Sequence, residues 1–177
     1  MGADGPNLGH PADGPRRGHG LTHLDGVGHA RMVDVTEKTP TVRSATASGF
    51  VHCASHVVAA LRDQTVPKGD ALAVARVAGI AGAKRCPDLL PLAHVIGVHG
   101  VTVDLEVTDE GVAVTATVRT ADRTGVEMEA LTAVSVASLA VVDMVKGLDK
   151  HTWIGEVRLE AKSGGKSGAW LRAGFRA

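Results

Sequence analysis

Hydrophobic and polar residues alternate with a period of two over part of this chain, and this pattern predicts β-strands. The alternation runs over residues 101–107 and again over residues 112–118. Such a period places one set of side chains on a single face of a strand. Residues 108–111, Thr-Asp-Glu-Gly, have the composition of a tight turn. We therefore predict a β-hairpin over residues 101–118.

A second pattern predicts one long helix over about residues 125–147. Its central run, residues 130–142, contains only Ala, Leu, Val, Ser and Thr. Such a run is typical of a helix that is buried on nearly all sides. Charged groups beside it are costly unless they are paired or used, so we expect chemistry at its two ends. The charged residues there are Glu127, Glu129, Asp143 and Lys146.

The remaining segments predict an α+β fold. We expect a strand over residues 41–53, a short helix capped by Ser55 and a second helix over residues 71–84 capped by Asp70. A last strand is expected at residues 153–159. The resulting β-α-β-β-α-β order is that of the ferredoxin-like arrangement, which predicts an antiparallel sheet with helices on one face.

The first twenty residues differ in composition from the rest of the chain. Residues 1–20 are rich in Gly, Pro, Asp and His and have no periodicity. We predict a disordered tail over residues 1–20 and a single domain over residues 21–177. The tail's histidines, His10 and His19, have no ligand cluster around them and are expected to be solvated.

Composition excludes several classes of function. The chain has 19 basic and 19 acidic residues, so it lacks the basic surplus of a general nucleic-acid binder. It has two Phe, two Trp and no Tyr, too few aromatic residues for a platform that stacks single-stranded bases. Two cysteines outside any CxxC pair fit a reducing compartment. We find no secretory signal, and the uncharged run is too short to span a membrane, so we expect a cytoplasmic protein.

Asp143 and Lys146 are the first candidates for chemistry. They lie three residues apart on the predicted helix and therefore face the same way. A neighbouring lysine keeps a carboxylate ionised, and desolvation lowers the pKa of the lysine, so the two could form an acid/base pair. The alternative is an ordinary surface ion pair.

The opposite end of the helix carries Glu127 and Glu129. They lie two residues apart and point to different sides. The helix dipole favours a carboxylate there, which explains Glu127 better than Glu129. Glu129 and Asp143 are separated by roughly 21 Å at ~1.5 Å per residue. If both ends are catalytic, one site must join different subunits.

Three further groups leave alternatives open. The segment 162–168, Lys-Ser-Gly-Gly-Lys-Ser-Gly, either binds phosphate or is a flexible C-terminal segment, and it is not a P-loop. Lys68 beside a helix start suits an anion, and His94 either titrates or bonds to backbone. A zinc site at His52, Cys53 and His56 is a less favoured alternative.

Nine segments, in order and with matching spacing, resemble one known family. They are LTHLD at 21–25, MVDV at 32–35, KGD at 68–70, ARVAGI at 75–80, AKR at 83–85, LPLAH at 90–94, TGVEMEALT at 124–132, DMVK at 143–146 and AKSGGKSG at 161–168. The chain resembles the molybdenum cofactor biosynthesis protein C family, the cyclic pyranopterin monophosphate synthases. The resemblance covers about residues 21–168.

The resemblance implies a lyase that converts a cyclic dihydro-GTP intermediate to cyclic pyranopterin monophosphate and releases pyrophosphate. It implies a ferredoxin-like homohexamer, a trimer of dimers, with active sites at subunit interfaces. By motif, Asp143 and Lys146 are the expected catalytic residues. The substrate is a small nucleotide-derived molecule, no resident cofactor is expected, and Mg²⁺ can accompany the triphosphate. The expected substrate-binding residues are Leu92, Ala93, His94, Met128, Glu129, Lys68, Glu127, Lys162 and Lys166.

The chain departs from the family pattern at two places. It has Ala93-His94-Val95 where Cys-His-Pro is common, and Val145 where Cys is common. Those thiols are therefore not essential to the expected chemistry. Without the proline the His94 loop could be looser. The rival interpretation is a catalytically weakened paralogue that acts as a nucleotide-binding module.

Overall fold

The computed structural model describes residues 27–175, and every helix and strand belongs to a compact unit that comprises residues 34–177. Residues 27–33 belong to a separate small unit and are irregular apart from a bridge at Ala30. The elements, in chain order, are β1 (Thr41–His52), α1 (Ser55–Arg62), α2 (Ala71–Lys84), α3 (Cys86–Leu89), β2 (Gly100–Val107), β3 (Gly111–Asp122), α4 (Glu127–Val145), β4 (Trp153–Ser163) and β5 (Trp170–Leu171).

The five strands form one antiparallel sheet in the order β2-β3-β1-β4-β5. One face of the sheet is apolar and buried. In the register, Ala47 of β1 lies opposite Ala116 of β3, which in turn lies opposite Val103 of β2. All three side chains are buried, so alternating apolar residues on neighbouring strands meet on a single face.

Helices α2 and α4 pack on this apolar face. Gly49 of β1 lies under Val134 of α4, with too little room for a side chain. Gly79 of α2 lies against the Ala133 carbonyl of α4 and against Val103 of β2. These glycines let the helices approach each other and the sheet closely, because a Cβ at either position would overlap its neighbours. The position of α2 beside α4 brings the residues before α2 close to the end of α4.

The prediction of an α+β fold with an antiparallel sheet is confirmed. The predicted cap at Asp70 is also confirmed, because its carboxylate accepts a hydrogen bond from Ala73 N at 2.9 Å. The cap at Ser55 was wrong. Ala54 is the capping residue of α1, its side chain makes no cap, and Ser55 is the first helical residue. Helix α3 and strand β5 were not predicted, since each is too short to show a period.

Helix α4 is less enclosed in a single chain than its composition predicts. Nine of its residues are buried, but Met128 is 43% exposed and Leu139 is 58% exposed. Among the described residues it is also the one helix long and apolar enough to cross a membrane by length and composition. Half of its most apolar window is buried in the protein, as in the core helix of a globular domain. The predicted tail over residues 1–20 lies outside the described residues.

Candidate functional site

The C-terminal end of α4 brings together three charged side chains. Lys146 Nζ lies 2.7 Å from Asp143 Oδ1, as the spacing of three residues predicts. Lys68 adds a contact that the helix alone does not provide: its Nζ lies 3.0 Å from Asp143 Oδ2 and donates to the Asp143 carbonyl at 2.7 Å. Lys68 belongs to the turn before α2, and the packing of α2 on α4 places it there. We call Lys68, Asp143 and Lys146 the aspartate end.

The two ammonium groups keep the Asp143 carboxylate ionised. The hydrogen bond from Lys146, and next that from Lys68, hold the pKa of Asp143 below its usual range. All three side chains are about half exposed, so a ligand can reach them. An ionised carboxylate between two ammonium groups can accept a proton and return it, while the ammonium groups bind an anion. The pair predicted from the sequence thus forms two of the three residues of this cluster, and Lys68 is the third.

The N-terminal end of α4 places a carboxylate in the protein interior. Glu129 is 3% exposed. Burial raises the pKa of Glu129 and the nearby Glu127 charge adds to that effect, while Cys86 and His94 oppose it. Two residues earlier, Glu127 is less buried, with a side chain that is 26% exposed, and its Oε1 lies 3.2 Å from Lys162 Nζ. Glu129 is buried, whereas Glu127 is paired with a lysine. Such different surroundings allow two neighbouring carboxyl groups to take different roles in a reaction.

Cys86 is a buried residue next to the Glu129 carboxyl. This residue begins α3 and is fully buried. Burial raises the pKa of the Cys86 thiol to about 11, with a further contribution from the Glu129 charge and an opposing one from Thr132. The thiol is therefore protonated at neutral pH and donates towards Glu129. Neither Cys86 nor Thr132 was identified at this site from the sequence, because α3 itself was not predicted.

The loop after α3 carries the three residues that the family motif assigns to substrate binding. Leu92 is 42% exposed, and Ala93 N donates to the Leu90 carbonyl at 3.0 Å, which closes a turn. His94 is close enough to Glu129 for its charge to lower the pKa of that carboxyl. Met128 lies beside Glu129 in the chain and is exposed. We call Glu127, Met128, Glu129, His94 and Lys162 the glutamate end.

The glycine-rich segment after β4 meets the glutamate end. Lys162 Nζ, which pairs with Glu127, also donates to Ser167 Oγ at 3.0 Å. The segment turns at Gly164, Gly165 and Gly168, which have positive φ values of 90°, 70° and 65°. Lys166 is exposed at the tip. The predicted binding residues are therefore divided: Lys68 belongs to the aspartate end, whereas His94 and Lys162 belong to the glutamate end.

A second buried carboxylate, Glu160, contacts Arg172 and was not predicted. Glu160 of β4 is 2% exposed. Burial opposes its ionisation, but hydrogen bonds from Ser48 and Arg158 outweigh that effect and lower the pKa of Glu160. Arg172 Nε lies 3.4 Å from the other carboxylate oxygen. This contact holds the segment after the glycine-rich loop against β4. In the sequence, Glu160 directly follows the strand predicted at residues 153–159, and nothing marks it as buried.

The alternative of a zinc site receives no support from the geometry. Among residues 27–175 no group of three or more His, Cys, Asp or Glu side chains could hold a metal ion. The His52 ring stacks on Trp153 at 4.0 Å, and the Cys53 thiol donates to the Val51 carbonyl. His56 Nε2 lies 3.4 Å from the Leu148 carbonyl. Each of the three side chains thus contacts a different group, and these contacts do not join them into one ligand set. Both cysteines, Cys53 and Cys86, are free thiols.

Comparison with known proteins finds close relatives along most of the chain. A family model described as the MoaC family matches residues 32–165. The chain is similar to the cyclic pyranopterin monophosphate synthase of Streptomyces coelicolor, 64% identical over 86% of this chain and 90% of the relative. The synthase of a Nocardioides species is 60% identical over 91% of this chain and 99% of the relative. Cyclic pyranopterin monophosphate synthase 2 of Mycobacterium tuberculosis is 52% identical over 86% of this chain and 91% of the relative.

Proposed function

The chain belongs to the MoaC family, and on this basis we propose that it is a lyase of molybdenum cofactor biosynthesis. It converts a cyclic dihydro-GTP intermediate to cyclic pyranopterin monophosphate with release of pyrophosphate. The observation that carries this proposal is the identity of 60–64% to several synthases along nearly their whole length. The family resemblance seen in the sequence is confirmed by that match.

The aspartate end is assigned the proton transfers. The reaction opens and rebuilds a purine-derived ring, which needs groups that accept and return protons. Asp143 is ionised, half exposed and within 3.0 Å of two ammonium groups. Asp143 accepts a proton, and Lys146 and Lys68 stabilise the negative charge that develops on the substrate. The contact of Lys68 with Asp143 supports a role beside the reacting atoms rather than at a remote phosphate.

The glutamate end is assigned recognition of the substrate's ring system. A purine-derived ring offers N–H donors, which a carboxylate such as Glu129 accepts. Burial of Glu129 supports this role, because a desolvated carboxylate discriminates strongly against a partner without donors. Met128 and Leu92 supply exposed apolar surface beside it, and Ala93 and His94 complete the binding loop. Lys162 and Lys166 supply charge for the phosphates.

We extend the proposal to a homohexamer, a trimer of dimers, in which each pocket joins two subunits. Two observations support it. The aspartate and glutamate ends are separated by roughly 21 Å along one helix at ~1.5 Å per residue, farther than one substrate reaches. The outer surface of the helical layer also exposes apolar side chains, with Val74 at 46%, Val77 at 66% and Leu139 at 58%. Patches of this kind are typical of subunit interfaces. Light scattering of the purified protein tests the hexamer: a monomer would contradict it.

The rival, a weakened nucleotide-binding module, is not favoured, because the relatives bear the name of the active synthase. The departures from the family pattern have local explanations. Val145 is fully buried in the core, where an apolar side chain packs well, and Val95 is 89% exposed. The ion pairs and hydrogen bonds that join Asp143, Lys68 and Lys146 involve neither Val145 nor Val95.

Three finer assignments belong to the same proposal. The order β2-β3-β1-β4 of the four long strands supports the ferredoxin-like arrangement, with β5 as an addition at the edge. A biosynthetic role on a nucleotide-derived substrate supports a cytoplasmic location, which fractionation of cells tests. We expect activity without a resident cofactor. Titration of Mg²⁺ into metal-stripped protein tests whether the ion assists the triphosphate.

Pyrophosphate release is the direct test of the function. Purified protein is incubated with the cyclic dihydro-GTP intermediate, and pyrophosphate is measured alongside the pterin product. We expect both to form in equal amounts, and we expect Asp143→Ala to abolish both while the oligomer stays intact. A wild-type protein that binds the intermediate but releases no pyrophosphate would instead establish the binding-module interpretation.

A further inference from the structure

A β-bulge in β4 sets the position of Glu160. Along the paired strands β1 and β4, Thr46 lies opposite Ala161. The next residue of β1, Ala47, lies opposite Leu159. Glu160 is therefore the extra residue of a bulge and has no partner on β1. Because a bulge bends its strand and redirects the side chain that it carries, the bulge explains how a carboxylate in a strand comes to be only 2% exposed.

The two carboxylate oxygens of Glu160 have different partners. Oε1 accepts hydrogen bonds from Ser48 Oγ and, at 2.7 Å, from Arg158 Nε. Oε2 is buried and has no hydrogen-bond donor among the described residues, and Arg172 Nε lies 3.4 Å from it. A buried carboxylate oxygen is costly unless another group compensates for the lost water. The ion pair with Arg172 is thus the contact that offsets the burial of Oε2.

Arg172 also fastens the C-terminal segment to the backbone of β4. Its backbone N donates to the Glu160 carbonyl at 2.8 Å, and its Nε donates to the Leu159 carbonyl at 2.7 Å. The preceding strand, β5, is only two residues long, and so short a pairing is marginal by itself. The contacts of Arg172 therefore supply much of what holds this segment in place. We call Glu160 and Arg172 the C-terminal clamp.

The segment that the clamp holds is the second arm of a hairpin whose first arm carries Lys162. Trp170 of β5 lies opposite Lys162 of β4, and the glycine-rich loop joins the two arms. Lys162 Nζ donates to Ser167 Oγ in that loop at 3.0 Å and lies 3.2 Å from Glu127 Oε1. The position of the second arm consequently affects the loop, and through it the side chain that reaches the glutamate end.

We propose that Glu160 and Arg172 are positioning residues of the reaction. They fix the hairpin that presents Lys162 at the glutamate end, and neither of them touches the substrate. The inference rests on the proposed function and goes beyond it, because it assigns a role to two residues outside both ends of α4. The proton transfers belong to the aspartate end, at the other end of the helix. Loss of the clamp should therefore weaken substrate binding more than it slows the chemical step.

Steady-state kinetics of Arg172→Gln tests the positioning role. The Arg172 side chain is 41% exposed, so its replacement should leave the protein folded. We expect KM for the cyclic dihydro-GTP intermediate to rise by about three- to tenfold, which corresponds to the loss of one ordinary hydrogen bond, while kcat stays close to that of wild type. Arg172→Lys, which retains the charge, should restore part of the lost binding.

Arg158→Gln is the matched control for this measurement. Arg158 pairs with the same buried carboxylate as Arg172 does, but its other ion pair is with Glu156 of the same strand. The control therefore removes a cation from Glu160 without removing a contact to the C-terminal segment. We expect it to lower the free energy of unfolding and to leave KM unchanged.

Trp170 reports the docking of the hairpin without any substrate. In a Trp153→Phe background, Trp170 is the one remaining tryptophan of the chain, and it is 41% exposed. The variant used is Glu160→Gln, because Arg172 itself lies over the Trp170 ring at 5.5 Å. We expect acrylamide to quench Trp170 fluorescence more strongly in Glu160→Gln than in the background protein.

The possible results separate this inference from the proposed function. A KM that is unchanged in Arg172→Gln would overturn the positioning role. A KM that rises equally in Arg172→Gln and Arg158→Gln would also overturn it, since that is the result of a general loss of stability. Unchanged quenching of Trp170 in Glu160→Gln would overturn the clamp itself. In a protein without turnover the proposed function fails, and the quenching of Trp170 then decides on the clamp alone.

Discussion

Replacement of Glu129 by glutamine should stabilise the fold at neutral pH and impair activity. Glu129 is 3% exposed, and burial raises the pKa of its carboxyl. An unfolded glutamate ionises at a pKa of about 4.3, so the folded protein holds the proton to a higher pH than the unfolded chain does. Between those two values the unfolded state binds fewer protons than the native state, and the wild-type protein loses stability as pH rises. The amide of the Glu129→Gln variant is neutral at every pH, so the stability of the variant does not fall in this way as pH rises.

The size of the effect follows from proton linkage. Between the unfolded and the folded pKa of Glu129, the difference in unfolding free energy between Glu129→Gln and wild type should grow by about 1.4 kcal/mol per pH unit. It should be near zero below the unfolded pKa and become constant above the folded pKa. The activity should fall by about 10- to 100-fold in kcat/KM, because a hydrogen bond to a charged group contributes about 1.5–3 kcal/mol.

Urea unfolding at several pH values and a fixed protein concentration provides the assay. Glu127→Gln is the matched control: this neighbouring carboxylate is paired with Lys162, and its side chain is 26% exposed. Loss of that ion pair should change stability by no more than about 1 kcal/mol. A Glu129→Gln protein that is less stable than wild type at neutral pH, or a difference that does not vary with pH, would refute the reasoning.

Three further changes test other parts of the account. Asp143→Asn should lower kcat by about 10²–10⁴-fold, the contribution of a general acid or base, while its melting temperature stays close to wild type, because the group is exposed. An unaffected kcat would remove Asp143 from the chemistry. Gly79→Ala should destabilise the protein by about 1–3 kcal/mol in urea unfolding through overpacking. Gly100→Ala should not, because a Cβ there would lie 3.9 Å from its nearest neighbour, the Arg119 Cβ. Equal stability of the two variants would contradict the close packing at Gly79. Hydrogen bonds from Ser48 and Arg158 lower the pKa of Glu160 despite its burial, so the stabilisation from these contacts is present above the unfolded pKa and is lost as pH falls through the folded pKa. Unfolding of Glu160→Gln should therefore be less sensitive to acid than that of wild type, and an unchanged acid profile would show that these contacts of Glu160 contribute little.

The elements with a strong period could be predicted from the sequence alone. The hairpin and α4 were placed within a few residues, because alternation and an uncharged run survive in any tertiary context. The cap at Asp70 was identified correctly from residue type. Helix α3 and strand β5 could not be found, since four and two residues carry no periodic signal. The two ends of α4 were recognised as candidate sites because charges there interrupt an apolar pattern.

The partners of those charges required the structure. Lys68 lies 75 residues from Asp143 in the chain and reaches it only because α2 packs beside α4. The hydrogen bond of the buried Glu129 carboxyl with Cys86 joins α4 to the short helix α3, which was not predicted. The contact of Arg43 with Gly165 could not be predicted from the sequence, because it joins strand β1 to the loop that follows strand β4. Residue type marks candidates for chemistry, but long-range packing decides which of them meet.

Complementation between impaired variants tests the central claim that the two ends of α4 serve different pockets. Asp143→Asn and Glu129→Gln proteins are produced separately, mixed after partial denaturation and refolded together. In a random mixture, about one site in four combines an intact aspartate end from one subunit with an intact glutamate end from another. We predict that pyrophosphate release returns to about a quarter of the wild-type rate. A mixture that is no more active than the two separate variants, although mixed oligomers have formed, would contradict this claim.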